Sequence, residues 1–153
     1  MKIPSAIESV IQENICFDKI GQLPAYYADL QNFNKIQEGY RWNAMTGEDY
    51  TSDGDGGWKT SWYVIALNVM DEPFFVDFSE DTAGYPVYYA YHGMGRWEAI
   101  TVANNLQSFR EILHTLKNKE SELPFDLEFL SDYIDIDNDF WKEVNAYCKE
   151  EED

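Results

Sequence analysis

Three segments in the middle of the chain limit its fold most. Trp58–Val69 (WKTSWYVIALNV), Pro73–Phe78 (PFFVDF) and Pro86–Tyr91 (PVYYAY) are rich in β-branched and aromatic residues, the types that fit a pleated, half-buried surface. Pro73 and Pro86 open their segments, a position where a strand tolerates proline. Only a few residues separate one segment from the next. Parallel neighbours need a crossover of about a dozen residues or more, so these strands should pair antiparallel. A fourth strand is expected around Tyr40–Met45 and a fifth that includes Trp97–Val102. Side chains alternate along a strand, so Trp62, Val64 and Ala66 should face one way and Tyr63 and Ile65 the other.

Helical periodicity flanks this block. Ser5 followed by Glu8 fits a capping box, and Ile7, Val10 and Ile11 then recur at helical spacing. Leu23–Phe33 reads as a short helix after Pro24. Asn104 or Asn105 can cap a later helix, behind which Leu106, Phe109, Ile112, Leu113 and Leu116 form one apolar stripe. A short helix is expected around Phe125–Leu130. A last one starts near Asp137–Asp139, with Phe140, Trp141, Val144, Tyr147 and Cys148 on one face. The order helix, antiparallel sheet, helices predicts an α+β fold. It is a single domain over residues 1–149, an antiparallel sheet of four to six strands with helices packed on one face, and residues 150–153 form a frayed acidic tail. Trp62, Val64, Phe75, Val87, Phe109 and Leu113 should share one core.

Charge narrows the partners. The 153 residues hold 29 acids and 11 Lys or Arg, a net charge of −18. Such a chain repels phosphate backbones and anionic membranes and attracts basic proteins. The acid is concentrated at the end, where residues 118–153 carry 13 Asp or Glu against 3 Lys. The longest unbroken apolar run, Trp62–Leu67, is six residues, against about 20 for a membrane span. The first residues lack the pattern of a signal peptide, which predicts a cytoplasmic location. Cys16 and Cys148 are then expected to be free thiols.

Several residues invite a chemical reading. Asp53-Gly54-Asp55-Gly56-Gly57 begins like a calcium loop, but Gly57 and Val64 stand where ligands five and twelve belong. It reads better as an acidic hairpin loop. His92 lies in a glycine-rich turn without a serine or cysteine motif, and the only other histidine is His114. Asp71, Glu72 and Asp77 flank one strand and could face one another, as a carboxylate hydrolase requires. They read more simply as turn caps. No phosphate loop, dinucleotide fingerprint or nucleophile elbow is present. Neither metal nor cofactor is expected.

Read as one block, the middle of the chain has a family pattern. Trp62-Tyr63-Val64-Ile65-Ala66 precedes Asp71-Glu72-Pro73-Phe74-Phe75-Val76-Asp77, followed by Pro86-Val87-Tyr88, His92-Gly93-Met94-Gly95-Arg96-Trp97-Glu98, and Ala103 with Leu106, Ser108 and Phe109. This order resembles the SUKH superfamily over Trp58–Leu116, with Ile3-Pro4 and the first helix also fitting. It departs at Val69-Met70-Asp71-Glu72, where many members carry Gly-Gly-Asp before the proline. The resemblance implies an immunity protein that binds a cognate polymorphic toxin, frequently a nuclease. It would occlude the toxin's active site or substrate groove without catalysis. Fungal relatives implied by the same resemblance regulate cell-wall synthesis through protein contacts, so a non-catalytic regulatory scaffold is the alternative reading and a carboxylate hydrolase the third.

The motif residues read as core, so a binding surface must be sought elsewhere. Glu48, Asp49, Asp53 and Asp55 before Trp58, and Glu80 and Asp81 before Tyr85, would give an aromatic centre with an acidic rim, as protein interfaces favour. The acidic C-terminal helix around Asp132–Glu143 is a competing surface.

Overall fold

The computed structural model describes residues 2–150, so all but the first residue of the expected acidic tail lies outside the described residues. Five strands form one sheet in the order β1-β2-β3-β4-β5. They are β1 (Tyr26–Tyr27), β2 (Trp62–Leu67), β3 (Pro73–Asp77), β4 (Val87–Tyr89) and β5 (Ile100–Ala103). Every neighbouring pair is antiparallel. Three helices complete the α+β domain: α1 (Ser5–Glu13), α2 (Leu106–Lys119) and α3 (Asp139–Lys149). Among the described residues no helix is long and apolar enough to cross a membrane.

The helices form for the expected reasons, with two corrections. The Asn105 side chain accepts the Ser108 N–H at 2.8 Å, and Asn138 accepts that of Trp141 at 2.9 Å. All five stripe residues of α2 are buried. On α3 the stripe holds except at Tyr147, which is 41% exposed. The capping box at Ser5 does not form. Pro4 takes the extended N-cap position, so Ser5 is already helical and no side chain caps the end. Glu13, at the last turn of α1, instead receives Arg110 and, at 2.8 Å, the ring of His114, which ties α1 to α2.

Two further expectations are corrected. Leu23–Phe33 is not a helix but contains β1. Its backbone is drawn onto β2 by the Ala25 N–H to Leu67 carbonyl bond at 2.8 Å and the Ala28 N–H to Ile65 carbonyl bond at 2.9 Å. Tyr40–Met45 is not a strand and makes only isolated bridges through Trp42. Side chains from this part of the chain bond the edge of β2 and the residues before it instead. Gln37, with no exposed surface, accepts the Val64 N–H and donates to the Val64 carbonyl, each at 2.8 Å. Arg41 donates to the carbonyls of Thr60 and Trp62 at 2.7 and 2.8 Å. At the opposite edge, Asn138 and Trp141 donate to the carbonyls of Thr101 and Val102 at 2.8 and 2.9 Å. Side-chain donors thus occupy backbone groups that could otherwise recruit another strand.

The sheet is buried on both faces, which corrects the single core expected from the sequence. One face carries the helices, and there Val87, Phe109 and Leu113 pack with Ile65, Ala66 and Phe74. On the other face Val64 and Phe75 pack with Tyr40, Trp58, Leu67 and Ala90, with Trp62 at the margin. The register Val64↔Phe75↔Tyr88 puts Val87 on the opposite face by alternation, and a bulge between Val64 and Ala66 moves Ala66 off the face of Val64. The extra residue breaks strict alternation, so Ile65 and Ala66 join the helical core together while Val64 and Leu67 join the second cluster.

Candidate functional site

The acidic loop before β2 folds by its own hydrogen bonds. Asp49 accepts the Thr51 N–H at 2.8 Å and its hydroxyl at 2.7 Å. These bonds, the backbone one first, hold the Asp49 carboxyl below its ordinary range. Asp53 accepts the Thr60 N–H at 3.0 Å. A Cβ on Gly57 would lie 2.5 Å from the Ser52 carbonyl, so the turn requires glycine there. The loop is not the tip of an antiparallel hairpin, because no strand immediately precedes it and the bridge across it, Thr51 to Trp58, is parallel. Asp55 pairs with Arg96 at 3.0 Å, and the Trp97 N–H reaches the Gly56 carbonyl at 2.8 Å. These two contacts join the acidic loop to the His92–Glu98 turn. Glu48, Asp49, Asp53 and Asp55 are all exposed.

Beneath this loop lies a continuous run of aromatic rings. Trp58 stands 5.7 Å from Tyr40, 5.2 Å from Trp97, 5.4 Å from Trp62 and 4.7 Å from Phe75, between ring centroids. Phe75 in turn lies 4.7 Å from Trp62 and 5.8 Å from Tyr88. Trp58 is 1% exposed, so it anchors the loop instead of meeting a partner. Tyr85 packs toward the helical core and does not join this face. Half-buried Trp62 and Tyr88 stand at the margin instead. The Tyr88 hydroxyl donates to both carboxylate oxygens of Glu80, at 2.8 and 3.0 Å. Burial first, and Glu80 second, push its ionisation upward, so it stays a donor at neutral pH. The structure thus links the Asp53–Asp55 loop to Glu80 through Trp62, Phe75 and Tyr88. Asp81 is exposed in the 3₁₀ turn that follows Glu80. The register Val64↔Phe75↔Tyr88 placed Tyr88 on this face, and the alternation of Trp62 with Val64 was the sequence signal for Trp62.

The other chemical candidates have structural partners. Buried Glu72 accepts the Tyr89 hydroxyl at 2.6 Å and the His92 N–H at 3.3 Å. Asp77 accepts the Ser79 N–H and hydroxyl at 2.9 and 2.6 Å. The His92 ring contacts the Met70 carbonyl at 3.0 Å. Among the described residues no group of three or more His, Cys, Asp or Glu is placed to hold a metal ion.

A groove of about 660 Å³ opens at the other end of the aromatic face, lined by Tyr26, Tyr40, Leu67, Met70, Asp71 and Trp97 among others. The sequence did not mark it, because its walls come from β1, the segment after it and two turns. No family model, curated protein or solved structure matches the chain, so its own geometry carries the functional reading.

Proposed function

We propose that this chain is a non-catalytic immunity protein of SUKH type that acts in the cytoplasm and neutralises a basic protein toxin by occluding its substrate groove. One observation carries the reading: exposed Asp53 and Asp55 lie on the loop anchored by Trp58, whose ring packs on half-buried Trp62, and half-buried Glu80 accepts from half-buried Tyr88, on a chain of net charge −18. Nucleases hold phosphates in basic grooves, and an acidic rim around an aromatic centre complements such a surface. The Asp53–Thr60 and Glu80–Tyr88 bonds hold these carboxylates in place before binding, which lowers the ordering cost of association.

The test is co-expression with the C-terminal domain of a large toxin-like protein encoded beside this gene. The wild type should restore growth. Reversing Glu48, Asp49, Asp53 and Asp55 to Lys brings the net charge from −18 to −10 and should abolish protection. It also removes the Asp49–Thr51, Asp53–Thr60 and Asp55–Arg96 contacts of the loop, so the melting temperature should fall modestly while the circular dichroism stays native. A folded reversal variant that still protects would refute the surface. Failure of the wild type to protect would refute the immunity role.

A further inference from the structure

We infer that the groove beside β1 receives an extended, arginine-bearing peptide segment of a protein partner. The inference rests on the reading that this chain binds basic proteins, and it adds a second locus away from the acidic loop before β2.

The groove has the chemistry to hold a guanidinium. Tyr26, Tyr40 and Trp97 supply aromatic walls, and an arginine plane stacks on such rings. Three carboxylates line it, Asp29, Glu38 and Asp71, against a single lysine, Lys35. That excess matches a cation, and the volume suits a few residues of extended chain. The position also favours a peptide, because β1 is the edge strand of the sheet and Tyr26 is 43% exposed.

The site is built before any partner arrives. Asp71 sits at the β2–β3 turn with φ +59, a left-handed backbone that, apart from glycine, mainly asparagine and aspartate adopt. Asn68, fully buried, holds that turn by accepting the N–H groups of Met70 and Glu72 at 2.9 and 3.0 Å. Two tyrosines then converge on Asp71, the Tyr26 hydroxyl on its carboxylate and the Tyr40 hydroxyl on its carbonyl. Burial, with Asp71 adding to it, raises the Tyr26 hydroxyl to about 12, so it remains a donor. A strained residue fixed by two hydroxyl groups beside a cavity is the kind of local conformation found at binding sites. The carboxylate of Asp71 keeps acceptor capacity for a guanidinium.

The experiment titrates the ¹⁵N-labelled full chain with acetyl-Gly-Arg-Gly-amide and with the same peptide carrying citrulline, its neutral isostere. Shifts of the Trp97 indole N–H and of the amides of residues 26–40 should saturate with the arginine peptide, and citrulline should bind about tenfold more weakly. Asp71→Asn keeps the left-handed turn and an acceptor for Tyr26, and should weaken arginine binding about tenfold. Glu38→Gln, on an exposed side chain, should weaken it in the same direction. Lys35→Gln should tighten it about twofold, a gain that structural damage would not produce. Asp126→Asn, outside the groove, should change nothing. Equal binding of citrulline, shifts centred on residues 48–55, or an equal loss in Asp126→Asn would overturn the inference. Peptide binding and growth protection are read separately, so the groove can fail while the immunity reading stands, and the reverse.

Discussion

Replacing Gln37 by methionine keeps the volume of the side chain and removes both of its bonds to Val64. Gln37 and Val64 are each 0% exposed, so the Val64 N–H and carbonyl would be left without partners in the interior. An unsatisfied buried group costs about 1–3 kcal/mol, so two cost about 2–6 kcal/mol. Burying the thioether in place of an amide offsets part of that loss, which leaves about 2–4 kcal/mol. For a chain of 153 residues this lowers the melting temperature by about 5–15 °C. Urea unfolding of Gln37→Met should show a reduced midpoint with an unchanged m-value. A loss below about 0.5 kcal/mol, the range of neutral surface changes, would show that Gln37 does not complete the edge of β2.

Phe109→Ala should cost about 3–5 kcal/mol by urea unfolding, since Phe109 is 0% exposed within the helical core. Ser5→Ala should be neutral because Ser5 caps nothing, whereas Asn105→Ala should cost about 1 kcal/mol. The pH dependence follows from Glu120. Burial raises its ionisation, but the Lys117 ammonium and the N–H groups of Lys19 and Asp18 outweigh that and hold it below the usual 4.5. A lowered folded value stabilises the protein above the unfolded pKa and is lost as pH falls through the folded one. Thermal melts from pH 6 to 3 should therefore show a smaller acid decline in Glu120→Gln than in the wild type, and identical declines would contradict the assignment.

How much was legible in the sequence depended on how each residue is held. The stripes of α2 and α3 could be read because burial on a helix follows a fixed period. Strands β2 to β5 could be read because aromatic and β-branched runs carry their own signal. The two-residue β1 could not, since its pairing comes from Ala25 and Ala28 meeting β2 about 40 residues along the chain. Gln37 reads as a surface glutamine, and only its position beside Val64 gives it a role in the sheet edge. The second core stayed hidden for a related reason. Tyr40 and Trp58, which cover the second face, come from an irregular segment without periodicity, and the bulge at Ile65 that moves Ala66 across the sheet leaves no periodic mark either. In the candidate site the acidic loops were legible as charge. Trp58 and Tyr85 read as surface residues from their place beside the acidic loops, whereas Trp58 is buried and Tyr85 packs toward the helical core, and the registers of β2, β3 and β4 put Trp62 and Tyr88 at the margin of the aromatic face.

The central claim is that an acidic rim steers this protein onto a basic partner and an aromatic centre then retains it. Stopped-flow association with any toxin-like domain found encoded beside the gene, at about 50 and 500 mM salt, tests it most directly, because exposed charges are screened across that range. The account predicts that kon falls about tenfold or more with salt, while koff changes by less than about threefold. Trp62→Ala should show the opposite pattern, with faster dissociation and an unaltered salt slope. A kon that does not respond to salt would contradict the account.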